Sequence, residues 1–265
     1  MAAEEVERPR LAEARRQRMR ELLMRNGAVA ITDLRSRFGI SAMTARRDLA
    51  VLEQRGHARR THGGAVVPPV AAQENSFAQR LGTATAAKQR LADAAVALLQ
   101  PGETLFLDSS STAYFVGRRI AQLGLAARIV TNSGAIMQAV AACEHEHVQL
   151  FAIGGSLRRL SGSYVGPSAV RAIREHYADR AVLSVMGVAR NGMLMDGDPL
   201  EAEVKRAMVE QSAHSLVLID ASKLSARGRQ AVVPLKAVSQ VIADGLTTAG
   251  AEQLLASGAA KVTAA

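Results

Sequence analysis

The sequence predicts an α/β protein in two parts: a small basic head of helices closed by a hairpin, then a larger body with a mainly parallel sheet. Three observations carry this reading. Between Ile31 and Ala65 a short amphipathic helix, a glycine turn, a second helix and a basic segment ending in Gly63-Gly64 follow in order. Beyond Thr104, short apolar runs without alternation recur between helix-like stretches, as strands buried on both faces do. The charge is uneven: residues 1–65 hold 14 Lys+Arg against 8 Asp+Glu, and the remaining 200 hold 19 against 16. A basic head on a near-neutral body implies a polyanionic partner.

With 265 residues there is room for a small domain and a medium one. Hydrophobic residues make up 48% but aromatics only 3%, so Ala, Val, Leu and Ile must fill the core. The single cysteine, Cys143, excludes an internal disulfide framework and a cysteine-based zinc or iron–sulfur site within one chain. It reads as a small packing residue. No apolar run approaches the roughly 20 residues that cross a bilayer, and the charged start MAAEEVERPR is not a signal peptide. The expectation is a soluble cytoplasmic protein with no membrane contact, no metal and no cofactor.

The head is expected over residues 10–65. Arg10 to Asn26 reads as a helix with Leu11, Met19, Leu22 and Leu23 on its apolar side, stopped by Gly27. Ile31, Leu34 and Phe38 mark a second helix, ended by Gly39, where a tight turn needs positive φ. Ser41 is placed to cap the next helix through its hydroxyl. That helix, Ser41 to Gln54, buries Ala45, Leu49 and Leu52 and turns Met43, Thr44, Arg46 and Arg47 outward. Arginine pairs bidentately with guanine in a major groove, and Thr or Met touch bases or phosphates. Alone, Arg46 and Arg47 read more readily as a solvated face with Asp48 as counter-charge, and the helix-turn-helix context turns the reading to DNA. Gly56 ends the helix; Arg59, Arg60, His62 and Gly63 then form a basic hairpin, its Gly-Gly pair suited to a primed turn. His62 has no partner at metal-ligand spacing. The order is that of a winged helix-turn-helix on DNA.

Residues 66–80, with Pro68-Pro69, read as a linker, and residues 81–265 as the α/β body. Lys88 to Gln100 is an Ala/Leu helix; strand candidates are Thr104–Leu107, Arg128–Thr131, Val148–Ile153, Ala181–Val188, Leu216–Ile219 and Val241–Ala243. Ligands in such sheets bind at the carboxyl ends of strands. Asp108, Ser109, Ser110, Ser111 and Thr112 follow one strand and open a helix, as an anion pocket or as plain capping. Thr131-Asn132-Ser133 and Gly154-Gly155 occupy two further strand ends, glycine letting backbone approach a ligand. Arg158 is a charge partner for a phosphate. Asp198 can cap a helix begun by Pro199, with Glu201 as its N3 carboxylate. Glu201 and Lys205 stand at i, i+4, which a surface ion pair also explains. Asp220 and Lys223 end another strand and hold a ligand or pair with each other.

These residues carry a resemblance. Thr44-Ala45-Arg46-Arg47-Asp48-Leu49, Leu52-Glu53-x-x-Gly56 and Arg60-x-His62-Gly63-Gly64-Ala65 resemble the head of the deoxyribose-operon-repressor (DeoR) family of bacterial transcription regulators. Leu107 to Thr112, Thr131 to Ser133, Gly154-Gly155-x-Leu157-Arg158, Val165-Gly166-Pro167, Glu201-x-x-x-Lys205-x-x-Met208 and Asp220-x-Ser222-Lys223 resemble that family's sensor motifs, in the same order. The match spans about Arg18 to Asp244. It departs at Met186-Gly187-Val188-Ala189, at Leu224 and at the three serines from Ser109 to Ser111. The resemblance implies a body folded like ribose-5-phosphate isomerases and glucosamine-6-phosphate deaminases, and draws Glu201 and Lys205 into an effector site. It implies a regulator, expected to repress a carbohydrate-use operon. Its partners are double-stranded operator DNA, a phosphorylated sugar or relative, and further copies in a dimer or tetramer. No catalytic residue is assigned. The rival is an isomerase or deaminase with a DNA-binding head, using Asp108, Glu201 or Asp220 as base. A third reading gives the body assembly alone.

Overall fold

The structure is a computed structural model that describes residues 4–54, 57–66, 76–226 and 228–265, the side chains of 4–11, 24, 25 and 54 excepted. Expectations for Leu11, Gly56 and Pro68-Pro69 fall outside the described parts. The chain divides into two compact units, Met1–Asn75 and Ser76–Ala265.

Unit 1 runs α1 (Glu4–Asn26), β1 (Ala28–Ala30), α2 (Ile31–Phe38), α3 (Ala42–Gln54), β2 (Arg59–Thr61) and β3 (Gly64–Val66). Met19 and Leu23 of α1 pack with Leu34 of α2 and Ala45, Leu49 and Leu52 of α3 in one core. Gly39 ends α2 at φ 62°, and Ser41 Oγ accepts the Thr44 amide at 3.1 Å to start α3. The three strands form an antiparallel sheet in the order β1-β3-β2. β1 has no counterpart in the sequence reading. The Gly-Gly expectation is corrected: neither glycine has positive φ, and the turn is His62-Gly63. Gly64 already lies in β3, where a Cβ would stand 2.0 Å from the Val29 carbonyl oxygen. Its smallness serves strand contact, not turn geometry.

Unit 2 opens with α4 (Phe77–Leu81) and α5 (Thr85–Val96). The expected linker is therefore corrected at its ends, since Val66 is strand and residues 77–80 are helix. Then follow β4 (Thr104–Leu107), α6 (Ser111–Leu123), β5 (Ala127–Thr131), α7 (Gly134–Ala141), β6 (Val148–Ala152), β7 (Ser156–Arg158), β8 (Ser163–Val165) and α8 (Pro167–Arg174). The chain continues as β9 (Ala178–Leu183), β10 (Gly187–Val188), β11 (Met193–Asp196), α9 (Pro199–Glu210), β12 (Ser212–Asp220), β13 (Gln230–Pro234), β14 (Gln240–Asp244), α10 (Thr248–Ala256) and β15 (Val262–Ala264).

Seven strands form one parallel sheet in the order β15-β14-β12-β9-β4-β5-β6. Alternate residues feed two cores. Phe106, Val130, Val217 and Val241 pack with α8, α9 and α10; Leu105, Leu107, Ile129, Leu216 and Ile242 pack with α5, α6 and α7. Sandwiching between helix layers explains why the strands lack alternation. The run Ala181–Val188 proves to be two strands: β9 joins the large sheet, and β10 a small antiparallel sheet, β10-β11-β13. β7 and β8 form a hairpin. Among the described residues no helix is long and apolar enough to cross a membrane.

Candidate functional site

On unit 1, the exposed face of α3 carries Met43, 65% exposed, with Arg46 and Arg47 also exposed and Thr44 at its edge. Asp48 does not serve them. It is buried and accepts Arg15 Nε at 2.7 Å and Arg16 Nε at 3.0 Å, which fastens α1 to α3. Among the described residues Arg46, Arg47 and Arg59 therefore have no ionic partner. Arg60 differs: Glu53 accepts its backbone N–H at 2.8 Å and its Nε at 2.6 Å, so it bridges wing and helix. These bonds hold the Glu53 carboxyl below the usual range, the backbone bond contributing most. His62 and Gly63 sit exposed at the wing tip. The result is an outward cationic face on a rigid three-helix base, suited to a phosphate-lined groove.

In unit 2 the polar loops gather at the carboxyl ends of the parallel strands. After β4, Asp108 accepts the backbone N–H of Ser110 at 3.1 Å and of Ser184 at 3.4 Å, and Lys205 Nζ lies 2.8 Å away. Ser110 caps α6 by accepting the Ala113 amide at 3.0 Å. Ser111 and Thr112 lie buried in its first turn. After β5, Thr131 Oγ1 donates to the Leu107 carbonyl at 2.6 Å, and Ser133 caps α7 at 3.4 Å. Asn132 donates through Nδ2 to the Tyr164 carbonyl at 2.9 Å, while its buried Oδ1 has no partner among the described residues.

Lys205 is not a surface residue. Burial alone would depress its pKa, but Asp108, Asp196 and Glu201 outweigh it and hold the ammonium strongly protonated. Its donors reach Asp108 and Asp196, both at 2.8 Å, and the Ser184 carbonyl at 2.6 Å. All three are taken, so Lys205 is the hub that ties β4, β11 and α9 together. The expected i, i+4 pair with Glu201 is replaced by this arrangement. Glu201 is buried as well. Its Oε2 accepts Ser109 at 2.7 Å, and its Oε1 accepts Ser161 at 2.7 Å and Ser163 at 2.6 Å. Asp198 does cap α9, accepting the Leu200 amide at 2.9 Å, but the Glu201 side chain turns away from any capping box. Arg158 reaches Asp198 at 3.0 Å and Ser161 at 3.0 Å, which draws the β7–β8 hairpin over the start of α9. Gly155 is filled by the Val165 carbonyl and Ala169, so it serves packing; Gly154 is exposed with open space around it.

The cations with spare capacity lie elsewhere: at Lys223, which the sequence reading named, and at Arg80 and Lys88, which it passed over as site residues. Arg80 of α4 has buried Nε and Nη2 atoms with no hydrogen-bond partner among the described residues. Lys88, buried at the start of α5, donates to the carbonyls of Arg80 and Thr83. Ala84, at φ 51°, is the one non-glycine with positive φ among the described residues, and it shapes the turn that brings Arg80 and Lys88 together. Burial first, then Lys223, push Lys88 down to about 8. Burial likewise lowers Lys223, with Arg80 and Lys205 adding repulsion and Asp220 opposing it. Asp220 itself caps the turn after β12 through the Ser222 amide at 2.9 Å. Desolvated cations that depress one another form a site short of negative charge. Lys88 had a legible signal: Lys88, Leu91, Ala92 and Ala95 share one buried stripe, in which a charge is out of place. Arg80 had none, because it fell in the expected linker. Asp196, Ser161, Ser163 and Ser184 join only through folding.

Residues 15–69 match the DeoR-like helix-turn-helix domain, and residues 83–245 match the DeoR C terminal sensor domain. The chain belongs to the DeoR family. It is a transcriptional regulator with a DNA-binding head and a sensor body. Curated DeoR-type relatives bear this out. A putative aga operon transcriptional repressor of Escherichia coli O157:H7 is 30% identical over 91% of this chain and 93% of its own. The L-fucose operon activator of Escherichia coli K12 is 30% identical over 87% and 94%. The glycerol-3-phosphate regulon repressor of the same strain is 30% identical over 83% and 85%. Among solved structures, ribose 5-phosphate isomerase A of Methanocaldococcus jannaschii is 20% identical over 53% of this chain and 54% of its own, with a TM-score of 0.39.

Proposed function

We propose that this DeoR-family regulator represses a carbohydrate-use operon and is released from its operator by a phosphorylated sugar bound in unit 2. Arg46, Arg47 and Met43 read the groove, and Ser41, Thr44, Arg59, Arg60, His62 and Gly63 meet the backbone. In the body, Arg80, Lys88 and Lys223 hold the phosphate, and Asn132, Asp220 and the strand-end serines receive the sugar. Asp108, Glu201 and Lys205 support that crevice rather than touch the ligand. The observation that carries this reading is the two buried guanidinium nitrogens of Arg80, unpartnered among the described residues, beside two desolvated lysines. A dianionic group satisfies all three at once. The relatives named for sugar and glycerol-phosphate operons support the ligand class.

The isomerase or deaminase alternative needs a free carboxylate base. Both oxygens of Asp108 and of Glu201 are engaged in hydrogen bonds, and Asp220 uses Oδ1 to cap the turn after β12. The test is operator binding titrated with a panel of sugar phosphates at fixed salt. One compound should weaken binding by roughly 5–150-fold, the range that 1–3 kcal/mol of coupling supplies. Arg80→Met should keep operator affinity but require at least about 10-fold more effector, since a charged hydrogen bond contributes about 1.5–3 kcal/mol. No response to any sugar phosphate would overturn the proposal.

A further inference from the structure

Among the described residues of unit 1, every large apolar side chain but one is at least partly buried. Met43 is the exception, and the other exposed large hydrophobics, from Leu123 to Leu255, all belong to unit 2. A lone exposed Met is ordinary on a protein surface; this one is set apart by its company. It stands in the first turn of α3, and Arg46, Arg47 and Ala50 follow at i+3, i+4 and i+7, so the four share one face. Both arginines are exposed, with no ionic partner among the described residues. The hydroxyls beside Met43 are engaged with each other: Ser41 Oγ accepts the Thr44 amide at 3.1 Å and lies 2.9 Å from Thr44 Oγ1. The long side chain that this first turn leaves uncommitted is therefore apolar, on a face that is otherwise cationic.

We propose that Met43 is the residue that selects thymine in the operator, by packing its thioether chain on the 5-methyl group in the major groove. The proposal rests on α3 being the helix that reads the groove. Chemistry eliminates the other targets. A thioether has no charge to offer a phosphate, and no N–H or O–H to offer the acceptors of guanine or adenine. Its sulfur accepts only weakly, so the amino groups of cytosine and adenine gain little from it. The thymine methyl is the apolar group that base pairs present in that groove. An unbranched, flexible chain seats on it without a strained rotamer. Spacing then ties this base to a second. Arg46 and Arg47 stand three and four residues beyond Met43, about 4.5–6 Å along the helix axis. Bases on one strand rise about 3.4 Å apart. A guanine read by either arginine therefore lies one or two base pairs from the thymine.

The test uses the full chain and a random pool of double-stranded DNA, from which bound sequences are selected and aligned at fixed salt. The aligned site should hold a T·A pair one or two steps from a G·C pair. Remaking that site with deoxyuridine in place of this one thymine removes the methyl group and nothing else. The wild type should bind the deoxyuridine site about 4-fold less tightly, the contribution of one buried carbon. Met43→Ala should bind the two sites alike, with its melting transition unchanged because the side chain is exposed. Met43→Leu, still apolar, should keep the discrimination. Equal binding of the two sites by the wild type, or a deoxyuridine loss that survives Met43→Ala, would overturn the proposal and leave the DNA-binding head standing. A pool that yields no common sequence would overturn the reading of α3 and this proposal with it.

Discussion

In unit 1 the cations that matter face outward: Arg46, Arg47 and Arg59 are exposed and unpaired among the described residues. In unit 2 they face inward: Lys88 and Lys205 are buried, and Arg80 has buried, unpartnered nitrogens. Both arrangements suit phosphate, but by different physics. Exposed arginines keep their hydration and act on a polyanion by releasing its counterions, so their attraction is strong only at low salt. Buried cations are desolvated by the fold before any ligand arrives. Salt screens them little, and Lys88, held at about 8, responds to pH instead.

The comparison breaks most visibly at Lys205. Lys205→Met removes the ammonium that lies 2.8 Å from each of Asp108 and Asp196 and leaves both carboxylates buried without their counter-charge. Breaking a buried pair in this way is destabilising by about 3–5 kcal/mol. Denaturant unfolding should show that loss in the transition of unit 2. A change below about 1 kcal/mol is what a surface pair gives, and it would erase the contrast.

Operator binding comes next. Arg47→Ala should weaken it by about 1–3 kcal/mol if Arg47 reads a base edge, whereas Arg59→Ala should weaken it evenly across sequences and lower the salt slope by about one. Effector binding to the same protein should change little over that salt range. A steep salt slope for the effector would mean that the lysines of unit 2 are hydrated after all.

The unequal legibility of the two units follows from the same contrast. An exposed face declares itself by local periodicity, so α2, α3 and their outward residues were readable from the spacing of Leu34, Phe38, Ala45 and Leu49. β1 was not, because Ala-Val-Ala becomes a strand only by pairing with β3 across the unit. In the body, apolar runs located six of the seven strands of the large sheet, all but the edge strand β15. The break in Ala181–Val188 was hidden, since Ser184 leaves the sheet to give its N–H to Asp108 and its carbonyl to Lys205. The site was legible one residue at a time. That Asp108, Asp196 and Lys205 meet, and that Glu201 gathers Ser109, Ser161 and Ser163, is set by sheet order, which spacing along the chain does not encode.

A smaller effect should appear with pH. Burial and the nearby Lys223 hold Lys88 at about 8 in the free protein. A bound anion favours the charged form, so the pKa of Lys88 in the complex lies higher. The contribution of Lys88 to effector affinity is then complete between about pH 6, above which a phosphate monoester is dianionic, and about pH 8, and declines as pH rises through that value towards the higher one. Calorimetry near pH 8 in buffers of different ionisation enthalpy should register proton uptake on binding. Affinity that stays flat through this interval would place Lys88 away from the anion.

The smallest effect tests the one wing arginine that breaks the outward pattern. Arg60 is tied to Glu53, which takes its N–H at 2.8 Å and its Nε at 2.6 Å on an exposed surface. Exposed pairs contribute about 0.2–1 kcal/mol, so Glu53→Gln should leave the fold standing. Glutamine still accepts the Arg60 backbone N–H but no longer neutralises its guanidinium. One more free cation then faces the DNA and one anion is gone. Operator affinity at low salt should rise by at most about 5-fold, and the salt slope should steepen by about one. A fall in affinity would give the Glu53–Arg60 bond the opposite meaning: it would hold the wing in the shape that DNA requires, at the expense of a charge.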